Sequence, residues 1–168
     1  MIIGLISDTH GLLREEVIDN LSDCELIIHA GDIGKYEVID SLEKISKVEF
    51  IKGNCDKKLD INTKEEDKII EIMHTKVYLI HDINNINIDL MKENIDIVIF
   101  GHSHRSKVYT ENGIMYINPG SVGPRRFKLP VAMSKLKIYD EYINDDLEII
   151  ENIYTYKNYK VEVITISI

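Results

Sequence analysis

Three short apolar runs, each closed by a polar cluster, constrain this chain more than any other feature. Residues 2–6 run into Ser7-Asp8-Thr9-His10-Gly11, residues 26–29 into Gly31-Asp32-Ile33-Gly34, and residues 47–51 into Gly53-Asn54-Cys55-Asp56. Two helical stripes lie between them: Leu12, Leu13, Val17, Ile18 and Leu21 within residues 12–21, then Val38, Ile39, Leu42 and Ile45. Strand, helix, strand, helix, strand in this order predicts parallel strands joined by helical crossovers. The polar clusters then fall at the carboxyl ends of the strands, where α/β folds place their ligands.

The rest of the chain reads mainly as strands. Residues 57–67 are polar and predict a loop; residues 68–73 and 76–81 predict two strands around a tight turn at His74-Thr75. A short helix is expected over 86–94, with Leu90 and Met91 facing inward, before a buried strand at 96–100 that leads into Gly101-His102-Ser103-His104. Residues 106–110 and 113–118 form a hairpin signal with Asn112-Gly113 at its turn. The segment NPGSVGP from Asn118 is rich in turn formers, and strands are expected at 131–139, 146–152 and 159–167. The acidic stretch from Asp140 to Asp146 reads as a solvated connection. No repeat, low-complexity tract or linker interrupts the pattern, so residues 1–168 are expected to form one domain. So many strands predict two sheets packed together with helices outside.

Composition narrows the function classes. With 44% hydrophobic and 29% charged residues the chain is a folded protein and not a disordered tail. A formal net charge of −9 argues against a basic surface for a long nucleic acid. It leaves a phosphate substrate open, because bound metals invert the field inside an acidic protein. The two cysteines, Cys24 and Cys55, make no disulfide scaffold. The N-terminus has no basic leader and no long apolar core, so neither a signal peptide nor a membrane span is expected, and a cytoplasmic location is the default.

The chemistry-bearing residues are Asp8 and His10, Asp32, Asn54, His81, and His102 with His104, each following a strand-like segment. Carboxylate and imidazole suit Mn, Fe, Co, Ni and Zn. The i,i+2 spacing of Asp8/His10 and His102/His104 can direct both side chains of a pair the same way. Taken singly, each has a plain structural alternative: Asp8 as a helix cap, Asn54 as a turn residue. His29, inside an apolar strand, reads as a hydrogen-bonded core histidine, and His74 as an exposed turn residue. Seven such residues in five strand-end loops are harder to explain as separate coincidences.

The ordered segments SDTHG at 7–11, GDIG at 31–34, GNCD at 53–56, IHD at 80–82 and GHSH at 101–104, followed by NPGSVGPRR at 118–126, strongly resemble the calcineurin-like metallophosphoesterases, and within them the small bacterial and archaeal phosphodiesterases. The resemblance implies an α/β fold, a four-layer α-β-β-α sandwich with two mixed sheets. It implies two metal subsites, one formed by Asp8, His10, Asp32 and His104, the other by Asp32, Asn54, His81 and His102, with Asp32 as the bridge. The expected cofactors are two divalent ions, Mn or Ni favoured, with Zn or Fe able to use the same ligands. The implied reaction is hydrolysis of a phosphodiester by a hydroxide shared between the metals, with Asp32, Asn54 and Cys55 as the catalytic set. Asn54 offers a carbonyl to metal and an amide to phosphate.

Two positions depart from many relatives. Cys55 stands where a histidine often follows the ligand asparagine, which implies weaker help for the leaving group. Asp82-Ile83 replaces the second histidine of an HGH-like segment, so Asp82 is either an acceptor for a ligand imidazole or a turn residue. Asp56, Arg105, Arg125 and Arg126 are further candidates for supporting or phosphate contacts. The expected partner is a small phosphate ester, with no membrane and no long nucleic acid, and open sheet edges allow a homodimer. The alternatives are a phosphomonoesterase, a nuclease, or a noncatalytic scaffold on the same fold, like the retromer subunit that resembles this family.

Overall fold

The computed structural model describes residues 1–59, 65–126 and 128–167. The apolar runs form the strands they predict: β1 Ile2–Ile6, β2 Leu26–His29 and β3 Lys47–Phe50, with helix α1 Glu15–Leu21 and helix α2 Tyr36–Glu43 between them. β1 pairs parallel with β2, and β2 with β3. α1 starts three residues later than its stripe suggests. Leu12 N–H donates to Thr9 O and Gly11 N–H to Ile33 O, so the loop after β1 claims this stretch before a helix can begin. Glu15 and Glu16 then occupy the first turn, where negative charge favours a helix.

The later strands are β4 Asp67–Ile72, β5 Thr75–Ile80, β6 Ile97–Ile99, β7 Lys107–Glu111, β8 Ile114–Asn118, β9 Val131–Ile138, β10 Asn144–Ile150, β11 Ile153–Lys157 and β12 Tyr159–Ile166. They complete two mixed sheets, ordered β10-β11-β12-β9-β1-β2-β3 and β4-β5-β6-β8-β7. Ile3, Leu5 and Ile28 of the first sheet pack against Leu79, Ile99 and Ile117 of the second. α1 and α2 cover the outer face of the larger sheet through Val17, Leu21, Ile39 and Leu42. The chain is thus the α/β sandwich of two mixed sheets that its motifs imply.

Four local expectations are corrected. Residues 86–94 form no helix; a 3-10 turn at Ile83–Asn85 and irregular chain cover the smaller sheet instead. Ile86, Ile88 and Leu90, spaced by two, lean on Tyr78, Val98 and Tyr116, while Met91 is exposed. The β4–β5 turn is Met73-His74, both with positive φ, one residue earlier than predicted. Part of the acidic stretch before Asp146 belongs to β10, and β11 is an additional strand between two hairpin turns. Residues 60–64 of the expected 57–67 loop lie outside the described residues. Among the described residues no helix is long and apolar enough to cross a membrane.

Candidate metal centre

The loops after β1, β2, β3, β5 and β6 meet at one end of the two sheets, because those strands run in the same sense. Side chains reach the meeting point through an uncommon backbone conformation. Asp8, His10, Asp32, His102 and His104 all have positive φ, between 46° and 67°. The i,i+2 pairs therefore share a direction through left-handed residues of tight loops. Such conformations persist in non-glycine residues only where surrounding bonds hold them.

Those bonds are specific. Asp8 N–H donates to Gly31 O at 3.0 Å and His10 N–H to Asp32 O at 2.9 Å, lacing the first loop to the second. Asp56, fully buried, accepts Ile33 N–H and Gly53 N–H on Oδ2 and Gly34 N–H on Oδ1, each at 2.9 Å, tying the second loop to the third. Asn118 Nδ2 donates to Gly101 O at 2.7 Å and Ser121 Oγ to Asp8 O at 3.1 Å, so the end of β8 and the segment after it brace the last and first loops. Beneath them Gly31 N–H donates to His29 Nδ1 at 3.2 Å, which leaves the proton on Nε2 for Thr9 Oγ1 at 2.9 Å. Burial pushes the His29 imidazole down to about 4, so it is a neutral brace, as the sequence suggested.

Five of the seven candidate ligands converge tightly. Asp8 is fully buried; its Oδ2 accepts His102 N–H at 3.2 Å, while Oδ1 has no hydrogen-bond partner. That oxygen lies 3.2 Å from His104 Nε2, 3.9 Å from His81 Nε2 and 4.0 Å from His10 Nε2. Asp32 divides its oxygens in the same way: Oδ1 accepts Cys55 N–H at 2.8 Å, and Oδ2 lies 3.4 Å from His81 Nε2 and 3.8 Å from His10 Nε2. His81 donates from Nδ1 to Ala30 O at 2.7 Å, which frees Nε2 to face the carboxylates. The 3.4 Å contact of that nitrogen with Asp32 is electrostatic, without hydrogen-bond alignment, and Nε2 stays buried and unpartnered.

The electrostatics follow from this crowding. Burial opposes the charge on Asp32, but His81 and the Cys55 amide outweigh it and hold the carboxyl well below the usual carboxylate range. Burial likewise opposes the charged form of His81, and the carboxylates beside it raise its pKa. His10 goes the other way, lowered mainly by burial. Orphaned Asp8 Oδ1 and His81 Nε2, beside a committed carboxylate, leave donor atoms aimed at shared space with no proton donor to satisfy them. Divalent cations suit that donor set. Asp8, His10 and His104 form one compatible group and Asp8, Asp32 and His81 another.

Asn54 and His102 stand apart at the exposed rim. Asn54 Oδ1 lies 3.1 Å from His102 Nδ1, so these two pair with each other, and the His102 ring is 5.3 Å from that of His81. Cys55 is exposed, with its sulfur within 4.8 Å of donor atoms of His10 and Asp32. Desolvation and then the Asp32 carboxylate raise its pKa. Asp82 Oδ1 accepts Asn84 N–H at 3.0 Å and caps the 3-10 turn, while Oδ2 is 3.9 Å from His102 Nε2, so it serves the turn first. Arg105 is exposed, with its backbone N–H on Ser103 Oγ at 3.4 Å. Arg125 lines a small cleft with His104 and Gly123, and Arg126 Nη2 sits 3.3 Å from His10 Nε2. The bracing by Asn118 and Ser121 was not assigned from sequence; its signal was the turn-rich NPGS segment beside the histidine motif.

Clustered carboxylates and imidazoles on the strand-end loops of a two-sheet sandwich make a candidate divalent-metal domain. Residues 1–141 match the model of the calcineurin-like phosphoesterase superfamily domain, and the chain belongs to that superfamily. It is 36% identical over 154 residues to a probable metallophosphoesterase of Methanocaldococcus jannaschii, covering 84% of this chain and 78% of the relative. A probable metallophosphoesterase of Methanothermobacter thermautotrophicus is 33% identical over 145 residues, covering 79% of this chain and 84% of the relative. Among solved structures, Vacuolar Protein Sorting 29 of Cryptosporidium parvum matches with a TM-score of 0.73 and 16% identity over 98% of this chain and 97% of its own. An archaeal phosphodiesterase matches with a TM-score of 0.64 and 23% identity over 82% of this chain and 93% of its own. Likeness at those identities concerns the fold.

Proposed function

We propose that this single-domain protein is a cytoplasmic, divalent-metal-dependent phosphodiesterase whose small ester substrate binds across two metal ions. The observation that carries this reading is the convergence of buried, unpartnered Asp8 Oδ1 and His81 Nε2 on the Asp32 carboxylate. Asp8, His10, Asp32 and His104 would hold one ion, and Asp32, Asn54, His81 and His102 the other, with manganese or nickel favoured. Bound there, the ions supply an acidified water and positive charge for the phosphoryl oxygens.

The residues have separate tasks. Asp32 already commits Oδ1 to the Cys55 amide, which leaves Oδ2 as the oxygen to share. His81 is fixed in the tautomer that presents Nε2 by its bond to Ala30 O. Asn54, whose carbonyl oxygen lies 3.1 Å from His102 Nδ1, would offer that oxygen to the metal and its amide to the phosphate. Cys55 keeps its proton near neutrality, so it stands by the leaving oxygen as a weak donor and not as a nucleophile. A cleft lined by Lys52, Asn54, Lys57, Asp82, Asn87 and His102 opens beside the centre and offers room for the second arm of a diester.

A scaffold role has support in the similarity to vacuolar sorting proteins. The buried unpartnered donors speak against it, since a scaffold gains nothing from their desolvation. The test is to strip the protein, reload it with single divalent ions, and assay an activated phosphodiester and the matching monoester beside Asp32→Asn. Stoichiometric metal with diester turnover well above monoester turnover supports the reading. Wild-type turnover that never exceeds the variant's would falsify it.

A further inference from the structure

The site has one feature that the metal ligands do not explain. Arg126 Nη2 lies 3.3 Å from His10 Nε2, which itself lies 3.8 Å from Asp32 Oδ2 and 3.4 Å from His104 Nε2. A guanidinium has no lone pair to offer, so His10 Nε2 must be the acceptor in this contact. It is therefore neutral there, and the lone pair that holds Arg126 is the one a metal ion would need. Arg126 makes no ion pair with a carboxylate among the described residues.

The loop that delivers Arg126 is fixed at its base. Val122 N–H donates to Ser7 O at 3.3 Å, Ser121 Oγ to Asp8 O at 3.1 Å, and Arg14 Nη2 to Gly123 O at 3.1 Å. Gly123 lies so close to the first loop that a Cβ there would overlap the carbonyl oxygens of Asp8 and Thr9. The guanidinium is thus carried on a long, exposed side chain by backbone anchored directly to the Asp8 loop.

We propose that Arg126 is the phosphate-binding arm of this site. It rests on His10 while the metals are away, and turns to two phosphoryl oxygens once they are bound. The proposal rests on the metal-centre reading above. Metal ions at His10 and Asp32 repel a cation 3.3 Å from His10 Nε2 and take its acceptor, so the guanidinium must leave that position. A phosphate lying on the metals offers it a planar pair of oxygens that matches the guanidinium fork.

Inorganic phosphate is titrated calorimetrically into manganese-loaded wild type, Arg126→Lys and Arg126→Ala, after metal content and melting temperature are measured for each. The expected result is that Arg126→Ala keeps its metal and its melting temperature and binds phosphate about ten- to hundredfold more weakly. Arg126→Lys is expected to fall between, keeping the charge and losing the fork. Unchanged phosphate affinity in Arg126→Ala overturns the proposal alone. Loss of metal in Arg126→Ala also overturns it, by making the residue a support of the metal site. A wild type that takes up no metal overturns this proposal and the metal-centre reading together.

Discussion

Asp56 Oδ2 accepts the Ile33 backbone N–H at 2.9 Å, and that one bond fastens the loop carrying Asp32 to the loop carrying Asn54. The same carboxylate takes the amides of Gly34 and Gly53. Replacing Asp56 with Ala leaves three donors without acceptors in a closed part of the molecule. We expect a loss of about 3 kcal/mol in stability, read from urea unfolding of the metal-free protein. Metal affinity should fall as well, although Asp56 has no atom facing the metals. Unchanged affinity would confine Asp56 to folding alone.

Metal loading should stabilise the fold, because the donors it satisfies are buried and unpartnered. At a free metal concentration about 100 times the dissociation constant the gain is about 2.7 kcal/mol. A chelator should reverse it, and Asp32→Asn should abolish most of it. Thermal melts with and without manganese check this, and a melting temperature indifferent to every divalent ion tried would count against the centre.

Gly53 has no space for a side chain: a Cβ would overlap Asp32 Oδ1. Gly53→Ala should displace the carboxylate from the Cys55 amide and weaken metal binding about tenfold or more. Isothermal titration with manganese reads the effect directly. The same substitution at Gly113, where nothing lies within 4 Å but φ is +77°, should cost stability without touching metal affinity.

His29 gives the metal-free protein an acid-sensitive step. Its pKa is lowered from 6.5 to about 4 by burial, so between those values the unfolded chain binds a proton that the folded chain refuses. Stability attributable to His29 is complete above about 6.5, and falls as pH drops through this window, by about 3 kcal/mol in all. Urea unfolding at several pH values tests the slope. His29→Gln should flatten it by close to one proton; an unchanged slope would exclude His29 as its source.

Much of this arrangement was legible in the sequence because burial leaves a pattern. The runs 2–6, 26–29 and 96–100 are apolar enough that little besides an interior strand suits them, and the ordered Asp, Asn and His residues after them marked the centre. The expected helix at 86–94 failed for a physical reason: Ile86, Ile88 and Leu90 recur every second residue and lie flat on the smaller sheet. β11 was hidden because its half-buried residues alternate weakly between two turns. The left-handed backbone at Asp8, His10 and Asp32 was invisible for a different reason. Residue type does not dictate positive φ there; bonds from distant loops impose it. For the same cause the Asn54–His102 pairing and the reach of Arg126 to His10 could not be read from spacing.

The pairing of β1 with β9 sets an order of events during synthesis. Ile2 lies opposite Lys137, and Ser121 holds the carbonyl of Asp8, so the first ligand loop emerges from the ribosome long before the chain that braces it. Contacts of such sequence separation form slowly. Until that later chain arrives, the Asp8–His10 loop lacks the bonds that hold its backbone in the folded chain. The loop that carries Asp8 and His10 is therefore fully braced only once the chain has been made as far as Lys137.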